Sequence, residues 1–219
     1  SASCSTEQEN TAAAPAGGVW VAGSGGKIVA LDGTGRAERL PTPTAQTLQD
    51  IAVWDAQHAV AVGNDGVVLV TADGGKDWQV VDGMPRSEVA NKLTRVRVAA
   101  GGRAVATGEM GALLYSADYG TSWKRLRAEE DVAWNDAALL PGGRIVAVGE
   151  FGRVLLSTDG GVTWQEPASQ VESSLMAVAF RDASEGVAVG LEGVVLVTRD
   201  GGASWTRAAV DSRDHLFDI

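Results

Sequence analysis

The sequence predicts an all-β protein, a β-propeller of four-stranded antiparallel blades. Three observations predict it. One phrase, Ser/Thr-x-Asp-x-Gly-x-x-Trp, occurs four times and ends at Trp78, Trp123, Trp164 and Trp205, so the tryptophans stand 45, 41 and 41 residues apart. A fixed period near 40 residues marks an array of one supersecondary unit. Ahead of each phrase stands Gly-x-x-Gly: Gly63 and Gly66, Gly108 and Gly111, Gly149 and Gly152, Gly190 and Gly193. Finally, the chain of 219 residues holds 28 glycines in a Val- and Ala-rich background, which suits short strands and tight turns.

The elements follow in chain order. Residues 1–18 are Ser, Thr, Ala, Glu and Gln with one proline, have no apolar period, and are expected to form a flexible tail. Residues 19–219 are expected to form the propeller. A worn copy of the unit opens it: Val19 to Asp32 matches strands two and three, with Ala37 at the Trp position. Leu48 to Asp82 is the type unit. Leu48 to Trp54 alternates as a first strand, and Ala59 to Gly63 is a short apolar second strand. Asn64-Asp65-Gly66 signals a hairpin, Val67 to Thr71 a third strand and Trp78 to Val81 a fourth. The leading residue of later units is Leu93, Trp134 and Leu175, each 15 positions before the glycine that ends strand two. Leu216-Phe217-Asp218-Ile219 aligns with Leu48-Gln49-Asp50-Ile51, which predicts either a C-terminal strand completing the N-terminal blade of a five-bladed ring, or a fragment of a larger propeller.

Composition narrows the function classes. The net charge of −10 disfavours nucleic acid and anionic membrane as partners. Cys4 is the single cysteine, which excludes an internal disulfide and a cysteine metal cluster. His58 and His215 lack metal-ligand spacing, and no cofactor or metal is expected. The carboxylates Asp73, Asp118, Asp159 and Asp200 stand alone in separate units, whereas calcium needs six to eight converging oxygens. They are read as turn residues that accept backbone N–H groups, with Trp78, Trp123, Trp164 and Trp205 covering the hairpins.

The repeated phrase is the Asp-box, or BNR repeat. The fuller run from Ala147 to Trp164 resembles the photosystem II stability/assembly factor family. That resemblance implies a non-catalytic exported propeller that binds other proteins, often membrane-protein subunits during assembly, and often carries a lipidated N-terminus. Ser-Ala-Ser-Cys at the start resembles the end of a bacterial lipoprotein signal, so Cys4 is the expected lipidation site of an extracytoplasmic protein. Photosynthetic members bind through a basic patch, and this acidic chain departs from them.

Two groups of residues are candidates for binding. The hairpins after strand two carry Met110, Phe151 and Leu191, apolar residues at tips, rimmed by Glu109, Glu150 and Glu192, a combination suited to a protein partner such as a membrane-protein complex or envelope transporter. The first strands carry Asp50, Arg95, Arg97, Asp136 and Asp218 on the side expected to border the central channel. The alternative function is a carbohydrate-binding or sialidase-like glycoside hydrolase propeller. Sialidase chemistry needs an arginine triad, a Tyr nucleophile and a Glu, but Tyr115 and Tyr119 both lie in or beside one Asp-box, a poor place for a nucleophile.

Overall fold

The computed structural model describes residues 10–13 and 18–219. Five antiparallel sheets follow one another along the chain. The first holds β1 (Asn10–Ala13), β2 (Val19–Ala22), β3 (Ile28–Leu31) and β4 (Ala37–Leu40). The second holds β5 (Leu48–Val53), β6 (Ala59–Gly63), β7 (Val68–Thr71) and β8 (Gln79–Val80). The third holds β9 (Leu93–Ala99), β10 (Arg103–Gly108), β11 (Leu113–Ser116) and β12 (Lys124–Arg125). The fourth has only β13 (Trp134–Leu140), β14 (Arg144–Gly149) and β15 (Val154–Ser157). The fifth has β16 (Leu175–Phe180), β17 (Gly186–Gly190), β18 (Val195–Thr198) and β19 (Thr206–Arg207). Each sheet is a blade with its strands in sequence order, and the inner strands β1, β5, β9, β13 and β16 neighbour one another in turn.

Two expectations are corrected. The inner strand of the first blade is Asn10–Ala13, which pairs with β2 from Asn10↔Ala22 to Ala13↔Val19. It comes from within the segment expected to be a tail. Leu216–Ile219 therefore does not complete that blade, and lies instead beside the fifth, where the Leu216 N–H donates to the Gly190 carbonyl at 3.0 Å. Cys4 lies outside the described residues.

The fourth blade lacks an outer strand because of one proline. In the second, third and fifth blades the residue two positions after strand four's first residue donates its N–H to the edge of the third strand: Val81 to Val68 (2.9 Å), Leu126 to Leu113 (2.9 Å) and Ala208 to Val195 (2.8 Å). The equivalent here is Pro167, which has no N–H. Only the bridge between Leu156 and Gln165 remains.

Blades meet face to face over apolar side chains. Val60, Val62 and Val68 of the second pack on Ala104, Ala106 and Leu114 of the third, and Val146, Val148 and Leu156 of the fourth on Ala188, Leu196 and Trp205 of the fifth. On the second strands, valines of the departing face thus meet alanines of the next blade. Because both faces are covered, β6 is buried along its whole length and shows no apolar–polar alternation.

Candidate functional site

Two surfaces gather the residues singled out above. The first is the row of hairpin tips between the second and third strands. Each tip is a tight turn whose central residue sits in the left-handed region: Gly25 (φ 66°), Asp65 (56°), Met110 (53°), Phe151 (60°) and Glu192 (59°). That conformation brings Cβ close to the backbone and favours glycine. The glycine after each tip is needed for space. A Cβ on Gly152 would stand 2.0 Å from the Val171 carbonyl oxygen, and one on Gly26 2.0 Å from that of Thr44. Linkers between blades are thereby clamped under the tips.

Within this row Phe151 is 67 % exposed. Met110 occupies the same tip position but is half-buried, and its carbonyl accepts from Arg125 at 3.2 Å. Leu191 occupies the preceding position, equivalent to Glu109 and Glu150, and is half-buried. The three apolar residues therefore do not share one position. The rim is also partly spent on the scaffold. Glu150 accepts the Ala133 N–H at 2.9 Å, and Glu109 accepts that of Lys92 at 3.4 Å. Glu192 accepts the Ser173 hydroxyl.

The second surface is the inner end of the blades, where the five channel charges do come together. Asp136 is fully buried. Its two oxygens accept Arg97 Nε and Nη2 (2.9 and 2.8 Å), the N–H of Ala137 (2.8 Å) and the N–H of Val178 in the next blade (2.9 Å). Asp50 repeats the pattern, accepting its neighbour Ile51 and, across the blade boundary, Val96, both at 2.9 Å. This carboxylate is a clasp between consecutive inner strands. Arg95 donates to Asp218 at 2.8 Å, and Arg97 lies 3.9 Å from the same carboxylate. Burial pushes the Asp50 carboxyl up to about 6, against the pull of the Val96 N–H and Arg95. The Asp136 hydrogen bonds hold Arg97 still more firmly in its charged form.

The Asp-boxes show one geometry four times. In the second blade the Thr71 hydroxyl donates to Asp73 (2.9 Å) and accepts from the Gly75 N–H (2.9 Å), while Asp73 accepts the Asp77 N–H (3.0 Å). Ser116/Asp118, Ser157/Asp159 and Thr198/Asp200 repeat it within 0.1 Å at each of these bonds. Hydrogen bonds from Thr163 and Ser157 hold the Asp159 carboxyl down to about 2. The Trp side chain closes the turn. Trp123, Trp164 and Trp205 donate Nε1 to the box glycine carbonyl at 2.7, 3.1 and 3.0 Å. Trp78 instead meets Trp20 of the first blade edge-on at 5.6 Å.

Sequence inspection missed the clasp, whose partner is an N–H in another repeat. It also missed a cluster around Arg153, which binds Glu130 and Glu166 and lies over the Trp134 ring at 5.0 Å. Tyr119 stands where the other boxes have glycine, is left-handed (φ 59°), and stacks on His58 of the preceding blade at 4.0 Å. Its role is packing. Among the described residues no three His, Cys, Asp or Glu side chains converge on a metal position, and no helix is long and apolar enough to cross a membrane.

Sequence and structure comparisons agree with this geometry. A family model described as photosynthesis system II assembly factor YCF48 matches residues 35–134, and one for the BNR/Asp-box repeat matches residues 155–166. The chain carries Asp-box repeats on a propeller fold, and residues 35–134 are similar to the photosystem II assembly-factor family. No curated protein matches this propeller. Among solved structures, YCF48 from Cyanidioschyzon merolae aligns over 91 % of the propeller chain and 84 % of its own, at 16 % identity and a TM-score of 0.51. The GH74 xyloglucanase of Xanthomonas campestris aligns over 92 % of the propeller chain at 17 % identity and a TM-score of 0.71. GH74 of Niastella koreensis aligns over 90 % at 16 % identity and a TM-score of 0.69. The propeller spans only 38 % and 37 % of those two enzymes. At these identities the likeness is one of fold.

Proposed function

We propose that this propeller is a non-catalytic, extracytoplasmic scaffold that binds protein, of assembly- or stability-factor type, accessory to a membrane-protein complex such as an envelope transporter. The observation that carries the proposal is Phe151. It is an aromatic side chain held in a backbone conformation that costs about 1–2 kcal/mol for a non-glycine residue, yet it is 67 % exposed and so recovers little of that cost by burial. Strain at an exposed aromatic residue points to a contact made with another molecule. The match to an assembly-factor family supports the same class of function. The Asp-box carboxylates and the clasps of Asp50 and Asp136 are occupied by intramolecular hydrogen bonds, whereas the Phe151 ring is not. A lipid on Cys4 would tether the scaffold to the membrane.

The test is capture from native envelope, comparing wild type with Phe151→Ser. Loss of a recurrent membrane-protein partner in the variant, with thermal stability nearly unchanged, supports the proposal. Equal capture by both proteins removes Phe151 from it. Fatty-acid labelling that disappears in Cys4→Ser tests the anchor.

A second function is favoured by one observation. Burial pushes the Asp50 carboxyl up to about 6 within the field of Arg95 and Arg97, a value suited to a general acid. A carbohydrate-active propeller would use it at the channel mouth. Binding on a glycan array, or release of reducing sugar lost in Asp50→Asn, would establish that function and displace the scaffold.

A further inference from the structure

An aspartate followed by glycine is chemically labile, because glycine has no side chain to shield the nitrogen next to the carboxyl. Asp32, Asp65, Asp73, Asp82, Asp159 and Asp200 each precede a glycine. In sequence these six steps are alike. In the structure five are held and one is not.

The three box steps are held at both groups that would react. The N–H after the aspartate donates to a carbonyl in the first hairpin of its blade: Gly74 to Gln57 (3.0 Å), Gly160 to Gly143 (2.8 Å) and Gly201 to Ser184 (2.8 Å). The carboxylate accepts the N–H four residues on, from Asp77, Thr163 or Ser204. Hydrogen bonds from the same residues hold these three carboxyls in their charged form to lower pH than usual. Asp32 accepts the N–H groups of Thr34 and Arg36, both at 2.9 Å. Asp65 is bridged to Arg86 at 2.7 Å, and a Cβ on Gly66 would stand 3.2 Å from the Asn91 carbonyl oxygen.

Asp82–Gly83 lacks every one of these restraints. It follows the last bond of the second blade, from the Val81 N–H to Val68. Both residues are exposed. Among the described residues no hydrogen bond or ion pair reaches the Asp82 carboxylate or the Gly83 N–H. Nothing stands within 4 Å of a Cβ built on Gly83.

We propose that Asp82–Gly83 is a modification site, the step at which this protein converts aspartate to isoaspartate. The Gly83 nitrogen gives up its proton and attacks Cγ of the protonated Asp82 carboxyl. The N–Cγ bond forms, the C–OH bond breaks, and one water leaves as a five-membered succinimide closes. One water then opens the ring. Attack at Cγ returns aspartate. Attack at the former main-chain carbonyl leaves the chain running through Cβ and Cγ, with the α-carboxylate free. One water leaves and one enters, so no oxidant or reductant takes part. The product adds one carbon to the main chain between Val81 and Met84, which both pack at the boundary of the second and third blades.

The test ages the folded protein at neutral pH. Isoaspartate is counted by an isoaspartyl O-methyltransferase with labelled S-adenosylmethionine, and located by electron-transfer fragmentation of peptides. The expected result is accumulation at Asp82 at least about ten-fold faster than at any of the other five steps, since each of those must first break a hydrogen bond or leave a packed turn. In denaturant the six rates should converge. Asp82→Glu, which would need a six-membered ring, should remove most of the label from the folded protein. Equal accumulation at all six steps in the folded protein, or a faster rate at another step, would overturn the proposal. So would an Asp82 preference that persists undiminished in denaturant, because the fold would then have no part in it.

Discussion

Phe151 concentrates the tension between stability and use at a single residue. Its left-handed φ of 60° lies in the region that glycine adopts freely. Phe151→Gly should therefore raise stability by roughly 0.5–1 kcal/mol, read as a higher Tm, while partner capture is lost. Asp136 behaves oppositely. It is fully buried and spends both oxygens on Arg97 and two strand N–H groups. Asp136→Ala leaves the half-buried Arg97 guanidinium and the Val178 N–H without that partner, and should cost about 3–5 kcal/mol in chemical denaturation. The carboxylates also set opposing pH dependences. Asp50 is raised to about 6, so the stability it lends is complete below its unfolded value near 4 and is lost as pH rises through 6. Chemical denaturation should then show stability falling as pH rises from 5 to 7, a fall that Asp50→Ala removes. Asp159 is lowered to about 2, so its contribution is present above pH 4 and disappears as pH falls toward 2. Asp159→Asn should move the acid-unfolding midpoint to a less acidic pH, and an unmoved midpoint would show that the box is not held by its charge.

The hairpin closed by an Asp-box is the unit of construction. Its hydroxyl, carboxylate and Trp lock a turn whose second glycine lies against the preceding blade: a Cβ on Gly161 would meet Leu126 at 3.0 Å, at a φ of +88°. Both the close approach and the positive φ penalise a side chain, so Gly161→Ala should lower Tm more than Ala203→Gly in a neighbouring box. Much of this level was legible in advance. The 41-residue period, the Gly-x-x-Gly hairpins and the strand-two glycine placed the blades correctly. What escaped was backbone demand satisfied at a distance. Asn10–Ala13 has no strand pattern and becomes one by pairing with β2. Glu150 looked like a free rim charge until the Ala133 N–H was seen to need it. The left-handed tips were hidden because Met110, Phe151 and Glu192 are not the residues that advertise positive φ, whereas Asp65 is. Pro167 was visible, but its effect depended on knowing which N–H the third strand required.

At the scale of the molecule, the meeting of branched with small side chains sets the spacing between blades. Ala147 is fully buried between the third and fourth, against Val105 and Leu113. Ala147→Leu should overpack that boundary and cost about 1–3 kcal/mol, seen as a lower denaturation midpoint. The tips have a different relation to the whole. Five turns share one backbone, with φ between 53° and 66°, while carrying Gly, Asp, Met, Phe and Glu. The fold spells itself elsewhere, in boxes, clasps and interblade alanines, so these five letters can be rewritten without changing the grammar. On the function proposed above, substitution at the tips alone would exchange one client for another, and a library at Asp65, Met110, Phe151 and Glu192 that leaves out β-branched residues would keep the fold while varying what it binds.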